Sequence, residues 1–170
     1  MAFTFRPATP AESDIITDFN CRLAAETEDK TLPADVVSRG VQRGFQQGAE
    51  VQYFVAEDGD TVIGQIMLTR EWSDWRDGWA AWIQSVYVHA DYRGQGVFRQ
   101  LFHHVAEQLQ QDPDVVLVRL YVEQDNAPAI ATYQKLGFTD PGYRVMELPL
   151  GRDAAAGEGG RDAAAGEGVG

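Results

Sequence analysis

One succession of segments constrains the fold of this chain more than any other. An apolar and aromatic run at 79–88 is followed by a helical pattern at 97–111 and a β-branched run at 115–122. In the middle segment Phe98, Leu101, Phe102, Val105 and Leu109 recur at helical spacing, and the pattern stops before Pro113. The run at 115–122 is apolar except for Arg119, which suits a strand covered on both faces. Two strands joined through such a crossover helix lie parallel in one sheet, with the helix packed on one face.

Upstream of this unit the pattern is antiparallel. Runs at 51–56 and 61–70 flank the turn Asp58-Gly59-Asp60, which is hairpin grammar, and a polar and aromatic loop at 71–78 leads into the strand at 79–88. Earlier still, a short strand at 3–6 precedes Thr9-Pro10-Ala11-Glu12, a helix start with an N-cap threonine, a first-turn proline and a capping-box glutamate. Ile15, Ile16, Phe19 and Leu23 give that helix one apolar face to about Ala25, and a second helix starting near Pro33 turns Val37, Val41 and Phe45 inward. Downstream, Asn126 caps a helix that Gly137 stops, and a last strand is expected at 143–148. The order β, α, α, β, β, β, α, β, α, β specifies an α+β domain of three layers, α/β/α. Its sheet is expected to be mixed, mostly antiparallel, of about six to seven strands, with helices on both faces.

The domain is expected to occupy residues 1–150. Residues 151–159 read GRDAAAGEG and residues 160–168 repeat them letter for letter. Such a tandem duplication, rich in Gly and Ala, buries too little to offset ordering entropy, so 151–170 is expected to be a flexible tail. The 26 acidic against 14 basic residues leave a net charge of -12, which disfavours nucleic acid as a partner. No run is long and apolar enough to span a membrane, and residues 1–10 lack the pattern of an export signal. The one cysteine closes no internal disulfide, and the three scattered histidines offer no metal pattern, so a reducing, cytoplasmic setting is expected and no metal.

Chemistry concentrates at the passage from strand to helix, Val88-His89-Ala90-Asp91-Tyr92-Arg93-Gly94-Gln95-Gly96-Val97-Phe98. A helix N-terminus carries unpaired N–H groups and partial positive charge, and Gly94 and Gly96 would let a phosphate approach that backbone. The bland reading is a tight turn that needs positive φ. No Gly-Lys-Ser or Gly-Lys-Thr follows, so a nucleotide P-loop is excluded. After the next strand, Asn126 and Tyr133 stand seven residues apart, which puts their polar groups on one side of a helix.

Together these two segments resemble the GNAT superfamily of acyl-CoA-dependent N-acetyltransferases. Residues 88–102 are similar to its pyrophosphate-binding motif, and 126–138 to its Asn, Ala, Tyr, Gly-Phe signature. The resemblance implies acetyl-CoA as co-substrate, with backbone N–H groups of Arg93, Gly94, Gln95, Gly96, Val97 and Phe98 on the pyrophosphate. It further implies that Val86, Tyr87 and Val88 pair with the pantetheine where the strand at 79–88 splays from that at 115–122. Asn126 would contact the pantetheine arm, and Tyr133 would protonate the departing thiolate.

Two positions depart from the family pattern. Phe98 stands where Gly or Ala is usual, and its ring is expected to turn to the core while its N–H stays available. Gln84 stands where many relatives carry a base glutamate, and an amide accepts no proton at neutral pH. The base must then be another carboxylate or a water relay, with Glu71 and Glu123 as candidates and Glu26, Glu28 and Asp29 in the connection between the first helices. Glu28, Trp72, Trp75 and Gln84 are the expected acceptor contacts, because aromatic faces flanked by acids suit a cationic amine. The expected activity is acetyl transfer to the amine of a small cationic molecule. A protein N-terminus or lysine as acceptor, a noncatalytic acyl-CoA-binding module and a homodimer built on the tryptophan-rich loop remain open.

Overall fold

In the computed structural model, which describes residues 3–150, the sheet is built from β1 (Thr4–Pro7), β2 (Val51–Asp58), β3 (Thr61–Ser73), β4 (Gly78–Val88) and β5 (Val115–Leu120). The strands lie side by side in sequence order, antiparallel from β1 to β4 and parallel between β4 and β5. Four α-helices cover them: α1 (Ser13–Glu28), α2 (Ala34–Gly44), α3 (Val97–Gln110) and α4 (Ala127–Lys135). The expected tail lies outside the described residues.

The period of two along the strands divides the core between both faces of the sheet. Phe54, Ile66 and Leu68 meet Val97, Leu101, Val105 and Leu109 of α3 on one side. Their neighbours Tyr53 and Met67 turn the other way, toward Ile16 of α1 and Val41 of α2. Helices therefore lie on both faces, as the alternation requires. Between α1 and the sheet, the fully buried Gln65 donates its amide N–H to Asn20 Oδ1 at 2.7 Å. No described helix is long and apolar enough to cross a membrane.

Three expectations need correction. Residues 143–148 form no strand, so the described sheet has five strands rather than six or seven. Strand geometry needs a neighbour, and here Pro141 offers no N–H while Gly142 turns the chain at φ 78°, leaving the following residues without a ladder partner. The expected loop at 71–78 shrinks to the turn 74–77, because β3 runs on to Ser73 and Trp72 faces Trp79 across the hairpin as an edge-on pair with centroids 5.0 Å apart. Helix α1 continues beyond Ala25, so Glu26 and Glu28 belong to its last turn, and only Asp29, at φ 52°, sits in the connection as the C-cap.

Candidate active site

The sheet opens between its two parallel strands. Pairing of β4 with β5 ends at Ile83 and Leu120, although β4 continues to Val88. At the same point β4 carries a bulge: Leu68 pairs with Ile83 but Met67 pairs with Ser85, so Gln84 is the unmatched residue. A bulge bends its strand and increases the local twist, and here that turns the second half of β4 away from β5. Closer to the hairpin the two strands sit tightly, since a Cβ on Gly78 would lie 2.5 Å from Val116 Cγ1.

A cleft of about 150 Å³ occupies the opening. Ile83, Gln84, Ser85 and Val86 form one wall, Leu120 and Tyr121 another, with Leu23 of α1 and Tyr133 of α4 closing the sides. Burial pushes the Tyr133 phenol above its ordinary range, so the hydroxyl stays protonated well past neutral pH. Its ring meets Phe98 and Phe138 edge-on, with centroids 5.9 and 5.8 Å away. The aromatic departure at Phe98 thus turns into the core as expected and supports Tyr133 from below. Within this cleft the buried Ser85 hydroxyl has no hydrogen-bond partner among the described residues. Gln84 is exposed, and its amide N–H donates to Thr69 Oγ1 at 2.8 Å.

Beside the opening, α3 begins on Gly96 with no side chain capping its first N–H groups. Gly94 and Gly96 adopt φ 76° and 78°, where a side chain would strain the backbone. A Cβ on Gly94 would meet nothing within 4 Å, and one on Gly96 only Gln100 Nε2 at 3.7 Å, so the approach to these N–H groups is open. Arg93 contributes differently: its Nε donates to the Val88 carbonyl at 2.9 Å and its guanidinium pairs with Glu26 while lying over the Tyr87 ring. Glu26 also accepts a hydrogen bond from the Tyr87 hydroxyl at 2.9 Å. The Arg93 contact holds the Glu26 carboxyl below the usual carboxylate range, which makes it a poor proton acceptor.

The remaining expected residues separate. Asn126 caps α4, accepting from the Ala129 N–H at 3.1 Å, so its side-chain oxygen is already engaged. Glu71 accepts from Arg119 at 2.9 Å and from the Trp82 indole. Trp82 stacks on Tyr121 at 4.5 Å, which links Glu71 to the cleft wall without placing it in the cleft. Glu123 is exposed in the turn after β5, Glu28 pairs with Lys30 at 2.6 Å, and neither lines the cleft. Trp72 is half exposed in the hairpin, and Trp75 at its tip is 90% exposed. Leu23, Ser85 and Tyr121 were absent from the sequence-based set. Ser85 alone carried a signal, as a short polar residue following Gln84 in an otherwise apolar strand. A broader cleft of about 490 Å³ lies elsewhere, around the Arg70–Asp112 ion pair, and holds none of the expected site residues.

A sheet opened between parallel strands, next to a helix that starts on glycines, is the arrangement that the resemblance to acyl-CoA-dependent acyltransferases implies. The chain belongs to the acetyltransferase (GNAT) family, which its sequence matches over residues 18–138. It is similar in structure to a possible acetyltransferase from Clostridium difficile 630, at 40% identity and a TM-score of 0.82 over 88% of this chain and 99% of that one. An aminoglycoside acetyltransferase from an uncultured soil metagenomic sample, solved with sisomicin, shares the fold at 14% identity and a TM-score of 0.69, over 86% of this chain and 95% of that one. So does a ribosomal-protein-alanine N-acetyltransferase from Brucella melitensis biovar Abortus 2308, at 13% identity and a TM-score of 0.69, over 88% of this chain and all of that one. No curated protein matches the sequence. The two distant relatives are named for different acceptors, so the shared fold leaves the acceptor to be argued from this chain's own site.

Proposed function

We propose that this protein transfers the acetyl group of acetyl-CoA to a primary amine of a small cationic molecule in the cytoplasm, by direct attack. The observation that carries the reading is the opening between β4 and β5 beside an uncapped helix start. Its residues fit the co-substrate. Open space over Gly94 and Gly96 and the free N–H groups of the first turn of α3 suit a pyrophosphate. The unpaired edge of β4 from Gln84 to Val88 suits the amides of a pantetheine arm, which would add as a strand. Asn126 keeps its amide NH2 for the same arm, since the cap uses only its oxygen.

When bound, acetyl-CoA supplies a thioester activated toward amines. Tyr133 is the general acid in this reading, because its half-buried phenol holds a proton at the side of the cleft. The Ser85 hydroxyl, otherwise unpartnered, donates to the acyl carbonyl or accepts from the amine. Gln84 orients the acceptor and takes no proton. Since Glu71 is held by Arg119 and Trp82, the amine proton leaves through water, with the exposed Glu123 in the turn after β5 as the candidate carboxylate that receives it. A net charge of -12 draws a cationic acceptor to the surface. Gln84 also supports a second reading, an acyl-CoA-binding module without transfer chemistry.

Thermal unfolding with and without acetyl-CoA tests the co-substrate. At about a hundred times its dissociation constant the ligand should stabilise the domain by about 2.7 kcal/mol, raising Tm by several degrees. A melting curve that acetyl-CoA leaves unmoved refutes the reading.

A further inference from the structure

The glycine-entered end of α3 is its N-terminus, and the cleft of about 490 Å³ opens at the other end of the same helix. There the last turn of α3 meets Gln52 and Phe54 of β2 and Arg70 of β3. Phe54 and Leu109, both buried, give the cleft an apolar floor. Two charged residues line it, Arg70 and Asp112, and they pair with each other at 2.8 Å. The Arg70 side chain is only 16% exposed. Its Nη2 donates to Asp112 Oδ2, but its Nε is buried and no described residue accepts the proton it carries. Asp112 Oδ1 accepts from the Asp114 N–H at 3.1 Å, and no basic residue in the last turn of α3 balances the carbonyl end of the helix.

We infer that this cleft binds a free α-amino acid as its zwitterion, with the carboxylate on Arg70 and the ammonium on Asp112. Charge selects this class. A bare anion would meet one guanidinium that is already paired, in a molecule of net charge -12. A bare cation would compete with Arg70 for Asp112. A ligand that carries both charges extends the existing pair into an alternating set of four, in which every charge keeps an opposite neighbour. Because Arg70 and Asp112 touch, the two ligand charges must also be close together, and in an α-amino acid a single carbon separates them. The guanidinium fork suits a carboxylate, and the carbonyl end of α3 adds partial negative charge for the ammonium. Both side chains are partly withdrawn from water, which screens such contacts less than at an open surface. The volume exceeds what the charged groups fill. The remainder lies over Phe54 and Leu109 with Gln52 and Gln108 beside it, so a large side chain, apolar or ending in an amide, is accommodated. This cleft shares no lining residue with the opening between β4 and β5, so the inference stands independently of acetyl transfer.

The test is amide chemical-shift mapping on the isotope-labelled full chain, titrated with L-leucine, L-phenylalanine and L-glutamine. At least one probe should give saturable shifts at the backbone N–H groups of Gln52, Arg70 and Asp112 while those of Ser85 and Val86 stay in place. For that probe, the carboxamide, which lacks the carboxylate, and the N-acetyl derivative, which lacks the ammonium, should each bind roughly tenfold or more weakly. Arg70→Gln should weaken the parent probe as much. If that variant fails to fold, Gln108→Trp decides: position 108 is exposed on α3, so the indole can fill the cleft without disturbing the ion pair. It should abolish the shifts and leave a cooperative melting transition and the affinity for acetyl-CoA unchanged. Absence of saturable shifts at the cleft with all three probes overturns the inference. So do shifts confined to Ser85 and Val86, or equal binding of the carboxamide and N-acetyl forms, which would mean that the paired charges recognise nothing.

Discussion

Gly96 separates the backbone requirement of the α3 entrance from its electrostatics. Replacing it by Asn or by Asp places a side chain of nearly the same size at φ 78°, and both residues tolerate the left-handed region better than others. The steric and backbone costs therefore nearly cancel between the two variants, and a Cβ here meets only Gln100 at 3.7 Å. What differs is one negative charge. At about 5 Å from a phosphate and an effective dielectric near 20, the repulsion is about 3 kcal/mol, and solvent reduces it toward 2. Gly96→Asp should thus bind acetyl-CoA roughly 30- to 160-fold more weakly than Gly96→Asn in titration calorimetry at low salt, and the gap should narrow as salt is added. Unliganded stability should run the other way, because a carboxylate at a helix N-terminus is favourable by about 0.3–1 kcal/mol. The Asp variant should melt slightly higher while binding less. Equal affinities for Asn and Asp would mean that no anion sits at this helix start.

Tyr133→Phe removes one hydroxyl and little volume, so turnover of an identified amine should fall by roughly a hundredfold or more while acetyl-CoA affinity stays within error; a parental rate would take the acid role from Tyr133. A chain ended after Leu150 should keep its Tm and its acetyl-CoA affinity, and loss of either, followed by differential scanning, would show that the repeats dock on the domain. The ion pair of Glu12 with Arg6 holds the Glu12 carboxyl below its ordinary range, so its contribution is full above the unfolded carboxylate pKa and is lost as pH falls through the depressed folded value. Arg6→Met should therefore cost about 0.5–1.5 kcal/mol near neutrality, the pair being screened because the Arg6 side chain is more than a third exposed, and flatten that part of the acid limb, as read from denaturant midpoints against pH.

Local signals made most of the fold legible. The spacing of Leu101, Val105 and Leu109 marked α3, and the turn residues at 58–60 marked the β2–β3 hairpin, because each depends on neighbours close in sequence. The segment 143–148 reads as a strand for the same reason, yet a strand also needs a ladder partner, which no local pattern supplies. The site divides along the same line. The glycines before α3 and the Asn126 cap were readable from their own junctions. That Arg93 would be taken by Glu26, or Glu71 by Arg119 and Trp82, was not, since those partners lie 67, 48 and 11 residues apart and meet only when the sheet forms. The bulge at Gln84 was hidden too, because it is a property of register between two strands and not of either one.

The central claim is transfer to an amine, and thiol release measures it most directly. The protein is mixed with acetyl-CoA and a panel of polyamines, aminoglycosides, amino acid derivatives and peptides, and free CoA thiol is followed with a chromogenic reagent after subtracting the reaction of Cys21. The account predicts protein-dependent release with at least one small cationic amine, rising with pH as the amine loses its proton, and a matching gain of one acetyl group on the acceptor by mass. Stable acetyl-CoA binding with no thiol released above the uncatalysed rate for any member of the panel would contradict it and favour the binding module.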